Sequence, residues 1–582
     1  MTGTKQSMNA LVLINSASPG YMEGYTNTLP YLEHFGVPYN LLDLNHTPLP
    51  ANLGDNALIL VAHRQIDPYH TCLGPTSLQR FWRAIELGTG LVSFDPRLSF
   101  PQSGKTHWQD AGFGEKVEFR KSHFITQRHG IGDDLKLVGK LRLPRMEGWG
   151  GEILVTVGDY PLVTVSTLGV GRLVGWTTGA WMRTNILGSL GGLDDVLWRS
   201  MVWAARKPFA LRGLPPLVTM RVDDVTAYGE QWGQSPLYWV HVANQYGLKP
   251  WLGLFIYNLT ESAINELRHL IEEGKATAFP HAFGRPPRSR KDEWYYYPQA
   301  LPMRASEYDE FIFYDHHHER PWSKVEAERG IKAVDEWYAA HSSLPMSHYA
   351  VAHWYEMGSN LVEHVQRRWG ANFIAKVQDF DAPLTDRVPW WKGGPFRKHE
   401  LPGTCFPFSG KLGNRPVYYA DFMNCFGYQF FNCVTEIRDD AGYEWAPDND
   451  VPGTIGRGVR QIRRALDSMA LPVLFTHETD YIYKIRPENW EKIIQGISTA
   501  IASDDPIYVT LDEGIRYVRA ARTAHFESCC YDLQTKLVQA CFTGNADVPL
   551  SIQLFFETDG NISPKRVKIP EFNSRLEIDL TQ

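Results

Sequence analysis

The residues best suited to chemistry are carboxylates and imidazoles at the ends of short apolar runs. Arg221-Val222-Asp223-Asp224-Val225 closes the run LVTM with two adjacent acids. Such neighbours repel unless a cation or a proton separates them, so one is expected to face a metal while the other takes a proton. His281 follows the run TAFP, and His477 ends PVLFT. His316, His317 and His318 stand together just before Ser323 and Glu326, whose spacing predicts a capping box and hence a helix start. His353-Trp354-Tyr355-Glu356 follows SHYAVA. A single histidine is more often structural than ligating, and most Asp-Asp pairs are turns or caps. Their recurrence at successive strand ends favours a site. One carboxylate and two imidazoles with open positions suit zinc or another transition metal.

Side chains so far apart in the chain need a scaffold that gathers strand ends. Strands are legible at LVTMRV, LGLFIY, TAFPH, SHYAVAH, NFIAKV, PVLFTHE and IYVTL, with amphipathic helices such as SAINELRHLIEEG and PENWEKIIQGISTAIAS between them. Seven strand–helix units in succession predict a distorted (β/α)7 barrel over residues 215–522, whose one mouth would collect every strand end. Residues 382–430, rich in Trp, Pro and Gly, read as a long strand-poor loop. Ahead of the barrel, residues 8–206 alternate ALVLI, ALILVA and LVSF with helices, which predicts a doubly wound, mostly parallel sheet. Lys207 to Pro216 reads as a proline-rich linker, and residues 525–582 as a small antiparallel β-sandwich. The whole is an α/β multidomain chain.

The 582 residues are enough for several domains at roughly 150 residues each. With 65 acidic against 58 basic side chains (net −7), the chain lacks the basic surplus of a nucleic-acid binder. The aromatic content is 13%, and Trp390-Trp391 and Trp294-Tyr295-Tyr296-Tyr297 are candidate platforms for sugar faces, with core packing as the plainer role. No apolar run approaches the ~20 residues that span a bilayer, so no transmembrane segment is expected. Ala10 to Ile14 is long enough for a strand but not for a secretion signal. Seven scattered cysteines read as buried free thiols rather than a disulfide framework, with one bridge among Cys529, Cys530 and Cys541 as the alternative. Cys72 lacks the glycine-flanked elbow of a strand–turn–helix nucleophile and reads as a loop cysteine.

The ordered set RVDDV, FPHAF with DHHHERPWS, AHWYE and LFTHE resembles the polysaccharide deacetylases, the NodB-like or family 4-type carbohydrate esterases. The resemblance covers roughly residues 217–515, and it implies hydrolysis of N-acetyl groups on an amino-sugar polysaccharide with a divalent metal, most simply Zn2+. It implies Asp223 as general base, Asp224 and His281 as metal ligands, and His477 as the acid for the leaving nitrogen. Arg221, His353, Trp354, Tyr355, Trp390 and Trp391 would then line the substrate, with Arg221 also able to orient Asp223 or to serve as an ordinary core-edge Arg. The family's H-x-x-x-H loop is broken here, because Phe283, Gly284 and Arg285 follow His281. The second imidazole is therefore expected from the triplet, with His317 favoured over its neighbours. The family's acidic motif is only loosely echoed by Asp439-Asp440 or Asp379-Asp381. PLVTVSTLGVGRLVGW and LWRSMVWAARKP resemble a glutamine-amidotransferase-like domain of non-catalytic type. The combination is similar to divergent exopolysaccharide deacetylases, whose substrates lie outside the cytoplasm. A catalytically inactive glycan-binding protein on the same barrel is the alternative; a glycosidase using Asp223 and Glu356 has no need of a histidine cluster.

Overall fold

The computed structural model describes residues 5–580 apart from 102–105, 147–150, 184, 285–310, 316–319, 343, 354–356, 375–416, 426, 437–449 and 480. A short strand, Lys5–Ser7 (β1), precedes a nine-stranded sheet. Its members are Ala10–Ile14 (β2), Tyr39–Asp43 (β3), Leu58–Val61 (β4), Gly90–Ser93 (β5), Thr106–Phe119 (β6), Asp134–Met146 (β7), Glu152–Val157 (β8), Tyr160–Leu168 (β9) and Gly171–Trp176 (β10). The order is β3-β2-β4-β5-β10-β9-β8-β6-β7. The first five run parallel and the rest antiparallel. ALVLI and LILV are buried along their whole length, as parallel strands covered on both faces must be. The helix Pro75–Glu86 packs Phe81, Ala84 and Ile85 into that sheet.

After the strand Phe209–Leu211 (β11), a second parallel sheet holds the candidate site. It comprises Leu217–Val225 (β12), Pro250–Phe255 (β13) and Thr277–Ala282 (β14). Another ladder begins with Tyr349–Ala350 (β15), Phe373–Ile374 (β16), Val417–Cys425 (β17) and Tyr428–Glu436 (β18), followed in the chain by Val473–His477 (β19) and Ile507–Tyr508 (β20). The orders are β14-β13-β12-β19, with β20 also on β12, and β15-β16-β18-β17. The expected (β/α)7 barrel is not what the described backbone draws: among the described residues the strands close into no ring. Closure needs consistent stagger around every strand, which a succession of strand–helix units does not specify. The hairpin β17–β18 also corrects the strand-poor reading of residues 382–430.

The chain ends in Ala524–Asp532 (β21), Val538–Ala546 (β22), Leu550–Thr558 (β23), Asn561–Ile569 (β24) and Phe572–Asp579 (β25), all antiparallel. These strands do not stand alone. β1 pairs with β21, and β11 pairs with β23. The expected linker thus contains a buried strand rather than free chain. Polar ties reinforce the arrangement: Arg172 grips Glu557, and Arg128 bonds Asp467 at 2.6 Å and Asp504 at 2.8 Å. Cys72, Cys529, Cys530 and Cys541 are free thiols. Among the described residues no helix is long and apolar enough to cross a membrane.

Candidate metal centre

β12 delivers the two acids, and a regular strand would point them to opposite faces. It is not regular there. The register with β13 shifts between Val222 and Val225, and Asp224 takes φ 58°, a left-handed conformation uncommon outside glycine. Both carboxylates therefore reach one imidazole: His281 Nε2 lies 3.7 Å from Asp223 Oδ2 and 3.5 Å from Asp224 Oδ1. β14 is irregular at the matching place, since Pro280 pairs with Leu254 and Ala282 with Phe255, leaving His281 as the extra residue. A bulge of this kind re-aims a side chain beside a site. Between the two strands stands Gly253, where a Cβ would lie 3.1 Å from His281 Cγ. The missing side chain is what lets the ring cross β13.

His353 completes the group. Its Nε2 is 3.5 Å from Asp224 Oδ1, and its ring centroid is 5.1 Å from that of His281. One ligand atom from each of Asp224, His281 and His353 lies within 4.8 Å of the others, and all three residues are buried. His281 Nδ1 donates to the Val351 carbonyl at 2.7 Å, which turns Nε2 toward the acids. The segment after β15 thus orients one imidazole and supplies the next. Phe255 stacks on His281, and Phe311 stacks on His353, 5.0 Å between centroids. Tetrahedral ligands at zinc bond lengths sit about 3.4 Å apart, so the 3.5 Å gaps and the N/N/O donor set are compatible with an ion. These three side chains could hold a metal ion.

Asp223 is treated differently. Arg221, itself 1% exposed, donates through Nε at 2.8 Å to one carboxylate oxygen and through Nη2 to the other. Burial opposes ionisation of Asp223, but the Arg221 guanidinium and the His281 and His477 imidazoles outweigh it and hold the carboxyl below its usual range. Arg221 is thus a buried clamp on Asp223, with its guanidinium 4.4 Å over the Phe475 ring. His477 is half-buried on the neighbouring strand, in register with Asp223.

Of the residues singled out in sequence, the fold gathers Arg221, Asp223, Asp224, His281, His353 and His477 around the ends of β12, β14 and β19. His353, expected at the substrate, lies in the group that could hold a metal. His316, His317 and His318 lie outside the described residues, as do Trp354, Tyr355, Trp390, Trp391, the Trp294 to Tyr297 run and the acids at 379, 381, 439 and 440. Glu478 has no role in the sequence-based expectations. It is fully buried, which raises its pKa against the opposing pull of amide donors from Tyr228, Thr226 and Ala227 and the Trp239 indole. Its only sequence signal is a carboxylate directly after an apolar strand.

No family model matches the chain, and no curated protein matches it. Solved structures match parts of it at low similarity. A cytoplasmic protein from Salmonella typhimurium is 11% identical with TM-score 0.25, covering 34% of this chain and 100% of its own. A thua-like protein from Parabacteroides merdae is 15% identical with TM-score 0.26, over 35% and 94%. A beta-galactosidase from Bacillus circulans is 10% identical with TM-score 0.21, and the match spans 30% of this chain and 29% of the enzyme.

Proposed function

We propose that the chain is a metal-dependent hydrolase that removes N-acetyl groups from an amino-sugar polysaccharide or oligosaccharide. The reading rests above all on the buried Asp224–His281–His353 group with Asp223 beside it. Asp224, His281 and His353 would hold the ion, most simply Zn2+, which when bound supplies Lewis-acid polarisation of the acetamide carbonyl. Asp223, kept ionised by Arg221, takes the proton of the attacking water. His477, on the adjacent strand, gives a proton to the sugar nitrogen as the amide bond breaks and acetate leaves. In this reading residues 8–206 are a non-catalytic amidotransferase-like domain, residues 215–522 a deacetylase barrel distorted enough to leave its ring open, and residues 525–582 the sandwich.

Acetate release from an N-acetylated glycan, with and without added Zn2+, tests the reading. Wild type should release acetate and Asp223→Asn should lose at least about 100-fold, the usual weight of a general base. Undiminished release by Asp223→Asn, or none from zinc-loaded wild type, contradicts it.

A further inference from the structure

The turn that carries Asp224 is held by a residue outside the metal group. Asp224 and, three residues on, Ala227 both have positive φ, 58° and 61°. Such a conformation is strained for a non-glycine residue and persists only where its surroundings over-determine it. Three successive backbone amides follow, from Thr226, Ala227 and Tyr228, and all three point at one carboxylate. Glu478 Oε2 accepts from the Thr226 amide, the Ala227 amide at 2.9 Å and the Thr226 hydroxyl at 3.2 Å. Its Oε1 accepts from the Tyr228 amide at 3.1 Å and the Trp239 indole at 2.7 Å. Consecutive amides of this kind form a concave anion seat, here filled from within the protein. Glu478 also donates its own backbone N–H to the Asp223 carbonyl at 3.0 Å. One residue therefore ties the end of β19, with His477, to both sides of Asp224.

We propose that Glu478 is a positioning residue that locks the left-handed Asp224 turn in its ligand-bearing shape through the Thr226, Ala227 and Tyr228 amides. The proposal rests on Asp224 being a metal ligand, and so deepens the reading above. A carboxylate is required rather than any polar group. Both oxygens face donors only, and in a glutamine one of them becomes a donor itself. Trp239 lies on the helix Tyr238–Gln245, so the same carboxylate joins that helix to the turn.

The test uses the full chain and two readouts, hydrogen exchange over residues 224–230 and Zn2+ affinity by titration calorimetry. In Glu478→Gln, exchange of the 224–230 segment should rise at least tenfold while β13 is unchanged, and Zn2+ affinity should fall about 10–100-fold, as for the loss of an outer-shell partner. Ile497→Val, a buried truncation in the helix Pro487–Ile501, serves as the stability control and should leave both readouts unmoved. If Glu478→Gln does not fold, Trp239→Phe, which removes one donor from Oε1, should give a smaller change of the same sign. Unchanged exchange at 224–230, or a loosened turn with undiminished Zn2+ affinity, overturns the proposal. Wild type that binds no Zn2+ would sink the metal reading, and the exchange measurement would still decide whether Glu478 holds the turn.

Discussion

Two sheets in this chain gather polar residues at the carboxyl ends of their parallel strands, and they use them in opposite ways. At the end of β4, His63 is fully buried with both ring nitrogens committed to backbone: Nε2 accepts from the Asn15 amide at 3.0 Å and Nδ1 donates to the Arg64 carbonyl at 2.9 Å. Nearby, Asp67 accepts the amides of Thr71, Cys72 and Leu73, so Cys72 sits on a loop closed by that carboxylate. At the end of β14, His281 gives one nitrogen to backbone and turns the other to two carboxylates. Buried acids differ likewise. Asp194 takes hydrogen bonds from Tyr31 and the Leu190 amide without a cation among them, and burial pushes its carboxyl up to about 6. Asp223 has Arg221 and stays charged. The lesson is that topology supplies the place, and the unspent valence of the side chains there decides whether it is a site.

Swapping the lesion between the two histidines should give the largest contrast. Asp224→Ala or His353→Ala should lower Zn2+ affinity by more than the 10–100-fold typical of an outer-shell loss and leave the melting temperature of the metal-free protein nearly unchanged. His63→Ala should do the reverse. Leaving the Asn15 amide and the Arg64 carbonyl buried without their partner costs about 2–4 kcal/mol, while Zn2+ affinity holds. Calorimetric titration and denaturant unfolding on the same samples read both.

The acids sharpen the comparison through pH. The folded-state pKa of Asp194, about 6, lies above its unfolded value near 3.8. The folded protein therefore holds the extra proton in that window, and this contribution to stability is lost as pH rises from about 4 to 6. Urea titrations of Asp194→Asn should show that slope flattened, by at most about 3 kcal/mol over the window. An unchanged slope would mean Asp194 is ionised when folded, like Asp223.

A subtler change should break only the central sheet. Gly253→Ala puts a methyl 3.1 Å from His281 Cγ and forces the ring to shift by a few tenths of an ångström. Zn2+ affinity should fall up to about tenfold with the fold intact, since metal sites tolerate about 0.5 Å of displacement. Equal affinity would show that the ring has room to spare.

How much of this was legible in the sequence follows from range. β2, β4, β12 and β14 announce themselves as apolar runs, and the helix Lys324–Ala340 by its Ser323–Glu326 capping box, which forms as expected. Asp223, Asp224, His281 and His477 could be picked out because each closes such a run. His353 closes one too, but its partner depends on the order of strands in space, which spacing does not encode. The bulge at Asp224 left no residue-level mark, because that position is neither glycine nor proline, and at His281 the mark is the neighbouring Pro280 within the strand. The β6–β7 hairpin hid behind charged residues on long strands, and β17–β18 behind an aromatic stretch without clean alternation. β1 and β11 find their partners in the last sixty residues, pairings beyond the reach of any local pattern.

The central claim is that Asp224, His281 and His353 together hold a divalent ion. It is tested most directly by an anomalous difference map, at the zinc edge, from crystals of the full chain grown with Zn2+. The account predicts a peak about 2.0–2.2 Å from Asp224 Oδ1, His281 Nε2 and His353 Nε2. Zinc bound elsewhere, or bound by Asp224 and His281 with a histidine of the 316–318 triplet in place of His353, would contradict it.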